Sequence, residues 1–349
     1  MEAREDDDWR FCACGESRGC SLEFDFTRFL PETVRAPFSI MTPPMLHPDY
    51  KEFSRLAGEA TLVPVVKSVS ADLLTPVSAF LAIASDQPAA FLLESVERGE
   101  QIGRYTFLGA RPYMQVRAHG RDIAVERGRR KDNEKRQGSA IQVMKELLRQ
   151  HRPATVPGLP PFTAGAVGYF SYDAVRQLEN IGERAKDDLS LPDCVLMFFD
   201  RLLAFDHLRH QIHIIATADV SRESPRRAYD RASADIARVE KKLSTGMRRI
   251  DWHKSSARAK GRLRVHRGTG RRRFIDSVER AKQYIAAGDI FQVVLSQRLD
   301  FAPSVAPFDV YRALRTVNPS PYLYFLRMGD THVLGSSPEM LVRVTGRKL

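Results

Sequence analysis

A chain of 349 residues exceeds the roughly 250–300 residues at which a single core stops growing, so two units are expected. No apolar run reaches the roughly 18 residues of a membrane span, and the acidic start MEAREDDDW lacks the basic-then-apolar order of a secretory signal, which together point to the cytoplasm. A net charge of +11 would suit a nucleic-acid partner, but eleven Lys and Arg face only Asp251 between Arg248 and Arg273, so the excess sits in one stretch.

Residues 1–45 read as a disordered extension. Their CACGESRGC places Cys12, Cys14 and Cys20 close together, but Cys-x-Cys without a second pair does not make a zinc knuckle. An N-terminal domain is expected over 46–246. Thr75 followed by Pro76 signals a helix start, with Val77, Phe80, Leu81 and Ala84 as one apolar stripe. AAFLLES (89–95) and RYTFLGA (104–110) read as strands. A helix fits Ser139 to Gln150, with Ala140, Met144, Leu147 and Leu148 facing inward.

Gly165 and Gly168 in TAGAVGYFSYD lack both the GxGxxG pattern and the Lys-Ser/Thr of a phosphate loop. CVLMFFDRLLAFD and QIHIIAT read as a hairpin of buried strands. His207, His210 and His213 fall around its turn as exposed residues. Positions three apart on a strand face opposite sides, so they do not converge on a metal. Ser224 and Pro225 open a helix carrying Ala232, Ile236, Val239 and Leu243.

The stretch 247–270, with Gly261, Gly268 and Gly270 and only Trp252 available for base stacking, reads as a basic linker, with a nucleic-acid binder as the weaker alternative. A second unit then starts at 271. Phe274, Val278, Ala281 and Ile285 form the stripe of a helix ended by Gly288, and IFQVVLSQRL follows as a strand. A helix from Pro307 to Val317 stops at Asn318 and Pro319. YLYFLRM and THVLG then flank Gly329 and Asp330 as a hairpin. The whole is α+β with antiparallel strands.

GDIFQVVLSQR (288–298), NPSPYLYF (from Asn318) and GSSPEMLVRV (from Gly335) resemble, in order and spacing, segments of the chorismate-binding domain of the anthranilate synthase large-subunit family. LLESVERGEQIGRYTFLG, GAVGYFSYD and FDH are similar to that family's N-terminal domain, so the likeness covers residues 45–349. It implies mainly antiparallel sheets in a β-sandwich flanked by helices. It also implies a Mg2+-dependent enzyme converting chorismate and ammonia to anthranilate and pyruvate, with ammonia supplied by a glutamine amidotransferase subunit, component II.

Water-using relatives resemble Lys-Val-Val-Leu where this chain has Gln292, Val293, Val294 and Leu295. Gln292 is therefore the expected active-site residue. A desolvated lysine can serve as the base that activates water, whereas neutral ammonia is already nucleophilic and needs only a hydrogen-bonding amide. Family members bind L-tryptophan as a feedback inhibitor, and the matching positions are Glu94, Ser95, Asn318, Pro321, Tyr322 and Leu323. Tyr322 and Leu323 would offer an apolar wall, Glu94 and Ser95 polar contacts.

After VRVTGRKL the family pattern expects a Gly-Thr-Arg-Pro segment and helices carrying the Mg2+-binding glutamates and the general base. Metal ligands are therefore expected outside this sequence, which reads as a truncated family member without activity of its own. The alternatives are a tryptophan-binding remnant without catalysis and an aminodeoxychorismate synthase fragment. The latter family resembles QVNL and NPAPF where this chain has QVVL and NPSPYL.

Overall fold

The computed structural model describes residues 45–95, 103–128, 132–182, 186–246, 264–346 and 348–349. Residues 1–44 of the expected extension, with its three cysteines, and residues 247–263 of the basic linker lie outside them. In chain order, β1 (Leu46–His47) and α1 (Tyr50–Ala57) precede β2 (Leu62–Ser70) and α2 (Pro76–Ala84). Five strands follow, β3 (Ala89–Glu94), β4 (Tyr105–Ala110), β5 (Met114–His119), β6 (Asp122–Arg127) and β7 (Asp132–Gln137), then α3 (Ala140–Arg149) and β8 (Gly165–Phe170). β9 (Cys194–Phe199), β10 (Arg201–Asp206) and β11 (Gln211–Asp219) lead to α4 (Pro225–Gly246). The remainder is β12 (His266–Arg267), α5 (Arg271–Ala286), β13 (Leu299–Asp300), α6 (Pro307–Val317) and the hairpin β14 (Tyr322–Met328) and β15 (Thr331–Ser337).

Local chemistry sets several of these boundaries. The Thr75 hydroxyl accepts from Ser78 N at 3.1 Å and the Ser78 hydroxyl accepts from Thr75 N at 3.0 Å, a reciprocal cap ahead of Pro76. The β14–β15 turn needs a left-handed residue, and Gly329 supplies it at φ +70°.

Every ladder between named strands is antiparallel. One sheet has eight strands in the order β1-β2-β11-β10-β4-β3-β14-β15, and a second has five in the order β7-β6-β5-β9-β8. Alternation along the strands divides the core. Val65, Leu92, Leu203, Ile214 and Phe325 turn to a helical layer that contributes Phe53, Phe80, Ile236 and Tyr311. Their neighbours Val66, Phe91, Leu202, Ile215 and Leu326 meet Val167, Val195, Met197 and Phe199 of the smaller sheet. The smaller sheet's outer side, with Val116, Val125, Leu196 and Phe198, packs on Ala140, Val143 and Leu147 of α3. The result is helices, sheet, sheet, helix: an α+β sandwich, as the sequence implies.

The strands on both sides of the basic stretch share one sheet, because β14 pairs with β3 from Leu323–Glu94 to Met328–Ala89. Arg327 reinforces that joint. Its Nη1 donates to the carbonyls of Ala84 at 2.7 Å, Ser85 at 3.3 Å and Gln87 at 3.1 Å, satisfying the C-terminal end of α2.

Four expectations are corrected. CVLMFFDRLLAFD is two strands in different sheets, β9 and β10, with the crossing at Asp200. An unbroken apolar run looks the same whether one strand continues or the chain changes sheet. His213 is 5% exposed, not a turn residue: it is the third residue of β11, and its Nδ1 lies 2.8 Å from Ser68 Oγ on β2. Leu148 is 43% exposed while Val143 takes its inward place, because the α3 stripe runs 140, 143, 147. IFQVVLSQRL forms strand only at Leu299–Asp300, which pairs with β12. Residues 291–298 have no ladder among the described residues, Phe291 is 92% exposed and Val294 85%. β-propensity holds a strand only beside a partner. The apolar residues of α5 are likewise largely uncovered, with Ile275 and Ile285 exposed and Ala281 buried.

Cys194 is buried between the smaller sheet and α3, and desolvation pushes its thiol up to about 12. It is expected to resist alkylation in the native state and to react on unfolding, as read by peptide mass spectrometry. Gly168 faces Val195 across β8–β9, where an added Cβ would lie 1.8 Å from the Val195 carbonyl oxygen. Gly168→Ala is expected to lower stability by about 1–3 kcal/mol in urea denaturation. Burial pushes the His213 and His332 imidazoles below 6.5, so the unfolded chain binds more protons in that range. Stability should therefore fall as pH drops below 6.5, and His213→Asn should flatten that fall in urea midpoints taken at successive pH values.

Candidate functional site

β3 ends at Glu94 beside the start of β14, where Leu323 is its register partner. Glu94 follows Ala90 and Leu92 on the helical side of the sheet, a face otherwise apolar. A carboxylate there needs partners, and α6 brings two on one side, a helical turn apart. Tyr311 Oη donates to Glu94 Oε2 at 2.6 Å. Arg315 Nη2 donates to Oε1 at 2.9 Å, and its Nε lies 2.6 Å from Oε2. The Glu94 side chain is 4% exposed and that of Arg315 34%, so the pair is shielded at one end and reaches solvent at the other. Burial first, and then the neighbouring carboxylate, push the Tyr311 hydroxyl well up, which keeps it a donor.

Two further polar groups border this end of the sheet. Thr106, on β4 one residue from the Leu93–Phe107 pair, is 1% exposed and its Oγ1 lies 2.8 Å from His207 Nε2. Desolvation pushes the His207 imidazole down, with Glu94 opposing. Ser95 follows Glu94, and its Oγ is buried with no hydrogen-bond partner among the described residues.

The link from α6 to β14 closes the site. Asn318 N donates to the Leu314 carbonyl, ending the helix, while the Asn318 carbonyl accepts from Ser336 Oγ at 2.6 Å. Ser336 Oγ also lies 2.8 Å from Ser320 Oγ, from which it can accept, so the link is pinned to β15. Pro321 and Tyr322 are half-buried. Leu323 is 1% exposed in the core with Phe80, Phe308 and Phe325, which makes it part of the floor beneath the site and not an open wall.

The structure thus brings Glu94, Ser95, Asn318, Pro321, Tyr322 and Leu323 to one end of the β3–β14–β15 ladder. Gln292 is not among them: it is exposed on the unpaired segment 291–298. That segment is anchored at its far end, where Arg298 Nη1 donates to both Asp188 oxygens at 2.9 and 3.0 Å and its Nε to Asp300 Oδ1 at 2.8 Å. Among the described residues no group of three or more His, Cys, Asp or Glu is placed to hold a cation, so nothing there fits the implied Mg2+. Tyr311 and Arg315 were not singled out from the sequence. The signal is in PFDVYRALRTV, where Phe308, Tyr311 and Arg315 share one helical face and an arginine on an apolar stripe calls for a buried acceptor.

Residues 88–349 match the family of chorismate binding enzymes. The chain is 40% identical over 302 residues to anthranilate synthase component 1 of Acetivibrio thermocellus, covering 86% of this chain and 60% of that protein. Against anthranilate synthase component 1 of Pseudomonas aeruginosa it is 38% identical over 301 residues, with 84% and 60% covered. The crystal structure of anthranilate synthase component I from Streptococcus pneumoniae TIGR4 matches with a TM-score of 0.57 at 26% identity, over 80% of this chain and 59% of that chain. The chain spans about 60% of the length of the curated relatives it matches. Tyr311→Phe, which removes one donor to the buried Glu94 carboxylate, is expected to cost about 1.5–3 kcal/mol in urea denaturation while leaving the far-ultraviolet circular dichroism unchanged.

Proposed function

The chain belongs to the chorismate-binding enzymes, and from that membership we propose that it serves as the large component of an anthranilate synthase. Its reaction is then chorismate plus ammonia to anthranilate plus pyruvate in the cytoplasm, with ammonia delivered by a glutamine amidotransferase partner and L-tryptophan as the feedback effector. The observation that carries the effector reading is the gathering of Glu94, Ser95, Pro321 and Tyr322 at one sheet end, with Ser95 Oγ buried and unpaired among the described residues. A buried hydroxyl without a partner costs about 1–3 kcal/mol, which a ligand's polar head would recover.

Gln292 supports ammonia over water as nucleophile, because a neutral amide can orient ammonia by hydrogen bonding but cannot act as the base that water requires. Its exposure means that a further polypeptide must cover residues 291–298 before it can line a dry site. The described residues offer no cation cluster either, so no step of the reaction is assigned to Mg2+ here. For the chain by itself these two facts favour tryptophan binding without catalysis.

Two measurements test the reading. The purified chain, given chorismate, Mg2+ and ammonium, is expected to form no fluorescent anthranilate. Adding the polypeptide that corresponds to the uncovered part of a curated relative should produce it, and a mixture that makes aminodeoxychorismate instead would overturn the assignment. Calorimetry should detect L-tryptophan binding to the chain, and Ser95→Leu should abolish it by filling the site.

A further inference from the structure

We infer that a cavity enclosed by α2, α4 and the adjoining ends of β4 and β10 is a binding site for a small carboxylate, with Arg111 and Lys242 as its principal cations. The cavity measures about 70 Å³ and lies at the end of the β3–β4 ladder opposite Glu94, where β4 finishes at Ala110 and β10 begins at Arg201. Its floor is apolar, made by Ile83 of α2, Leu203 of β10 and Val239 of α4. Its rim is charged. Asp235, Arg238 and Lys242 share one face of α4 at helical spacing, and Arg111 and Arg201 meet them from the sheet. Four cations thus line the cavity with one carboxylate.

The cations are not equally occupied. Asp235 pairs with Arg201 at 3.5 Å and with Arg238, and Arg201 Nε also donates to Asp200 Oδ1 at 3.1 Å. Arg111 and Lys242 form no ion pair among the described residues. Arg111 Nε donates to the Gln87 amide oxygen at 2.6 Å, which fixes the side chain and leaves both Nη groups open. The same amide donates to Asp86 at 2.5 Å, and that bond first, with Lys242 and Arg111 behind it, holds the Asp86 carboxyl below its ordinary range. Arg111 also sits at φ +61°, a left-handed conformation that residues other than glycine seldom take, with its N–H tied to the Ala89 carbonyl at 3.1 Å. Its surroundings impose that position, as they do where a side chain is aimed at a ligand.

The occupant follows from the lining. A phosphate would satisfy the rim and leave the floor facing water, and a neutral apolar molecule would do the reverse. A short carboxylate does both. The volume equals roughly two waters, or a molecule of about five non-hydrogen atoms, and waters against an apolar floor find few partners and are readily displaced.

The test titrates propionate into the full 349-residue chain by saturation-transfer NMR, with phosphate and 1-propanol as competitors. A Kd on the order of 1 mM is expected, which asks less of each atom than the ceiling for very small ligands. Phosphate carries only the charge and 1-propanol only the chain, so each should compete at least about tenfold more weakly than propionate binds. Arg111→Gln and Lys242→Gln should each weaken propionate by on the order of tenfold, the scale of one charge-assisted hydrogen bond. Asp235→Asn should tighten it, because the competing carboxylate is gone, whereas removing a merely structural ion pair would not. Circular dichroism checks each variant, and if one fails to fold the other two still decide. Phosphate competing as well as propionate, with no variant having an effect, means an adventitious ion only and overturns the inference. Equal competition by 1-propanol makes the cavity a plain apolar hole and overturns it too. No saturation by about 20 mM propionate does the same.

Discussion

The joint between β3 and β14 is the constraint on which the remaining structure depends. It brings together residues as far apart as Glu94 and Arg315, 221 positions in sequence, and inserts the last hairpin into a sheet begun near the N-terminus of the described chain. Both faces of the joint are committed. Phe325 and Leu323 enter the helical core, while Leu326 and Met328 enter the space between the sheets. Loss of the joint would therefore open two cores at once, and it is held by ladder hydrogen bonds, by aromatic packing and by Arg327 on the end of α2.

The same joint makes the candidate site. A polar group on the apolar face of a sheet survives only where other polar groups reach it, and at this end α6 provides them. The site is thus a by-product of how the sheet edge is closed: Glu94 comes from one side of the basic stretch, Tyr311 and Arg315 from the other. A ligand held there touches elements that only the joint brings into contact, which is the geometric condition for one molecule to bias how the two parts sit together.

Where local chemistry decided the outcome, the sequence was readable. The Thr75–Pro76 cap, the ends of α6 at Pro307 and Asn318, and the Gly329–Asp330 turn all depend on a few adjacent residues. Where the outcome depended on distant partners, it was not. The division of CVLMFFDRLLAFD between two sheets depends on what lies across each half, and the burial of His213 on the strand that carries Ser68. Residues 291–298, apolar enough to read as a strand, stay unpaired because no described strand lies beside them. Glu94 and Ser95 could be named from their resemblance to a family segment, whereas the part played by Tyr311 and Arg315 depends on α6 packing on β14 and β15, from where their side chains reach Glu94.

The distance between β3 and its partner also has a cost in time. β3 precedes β14 by more than two hundred residues, so a ribosome adding about 5–20 residues per second leaves that edge open for ten seconds or longer. Meanwhile AAFLLE, a short apolar strand, has β4 on one side and nothing on the other. An apolar strand edge left open in that way can pair with other chains, and slower translation of the intervening codons would lengthen its exposure.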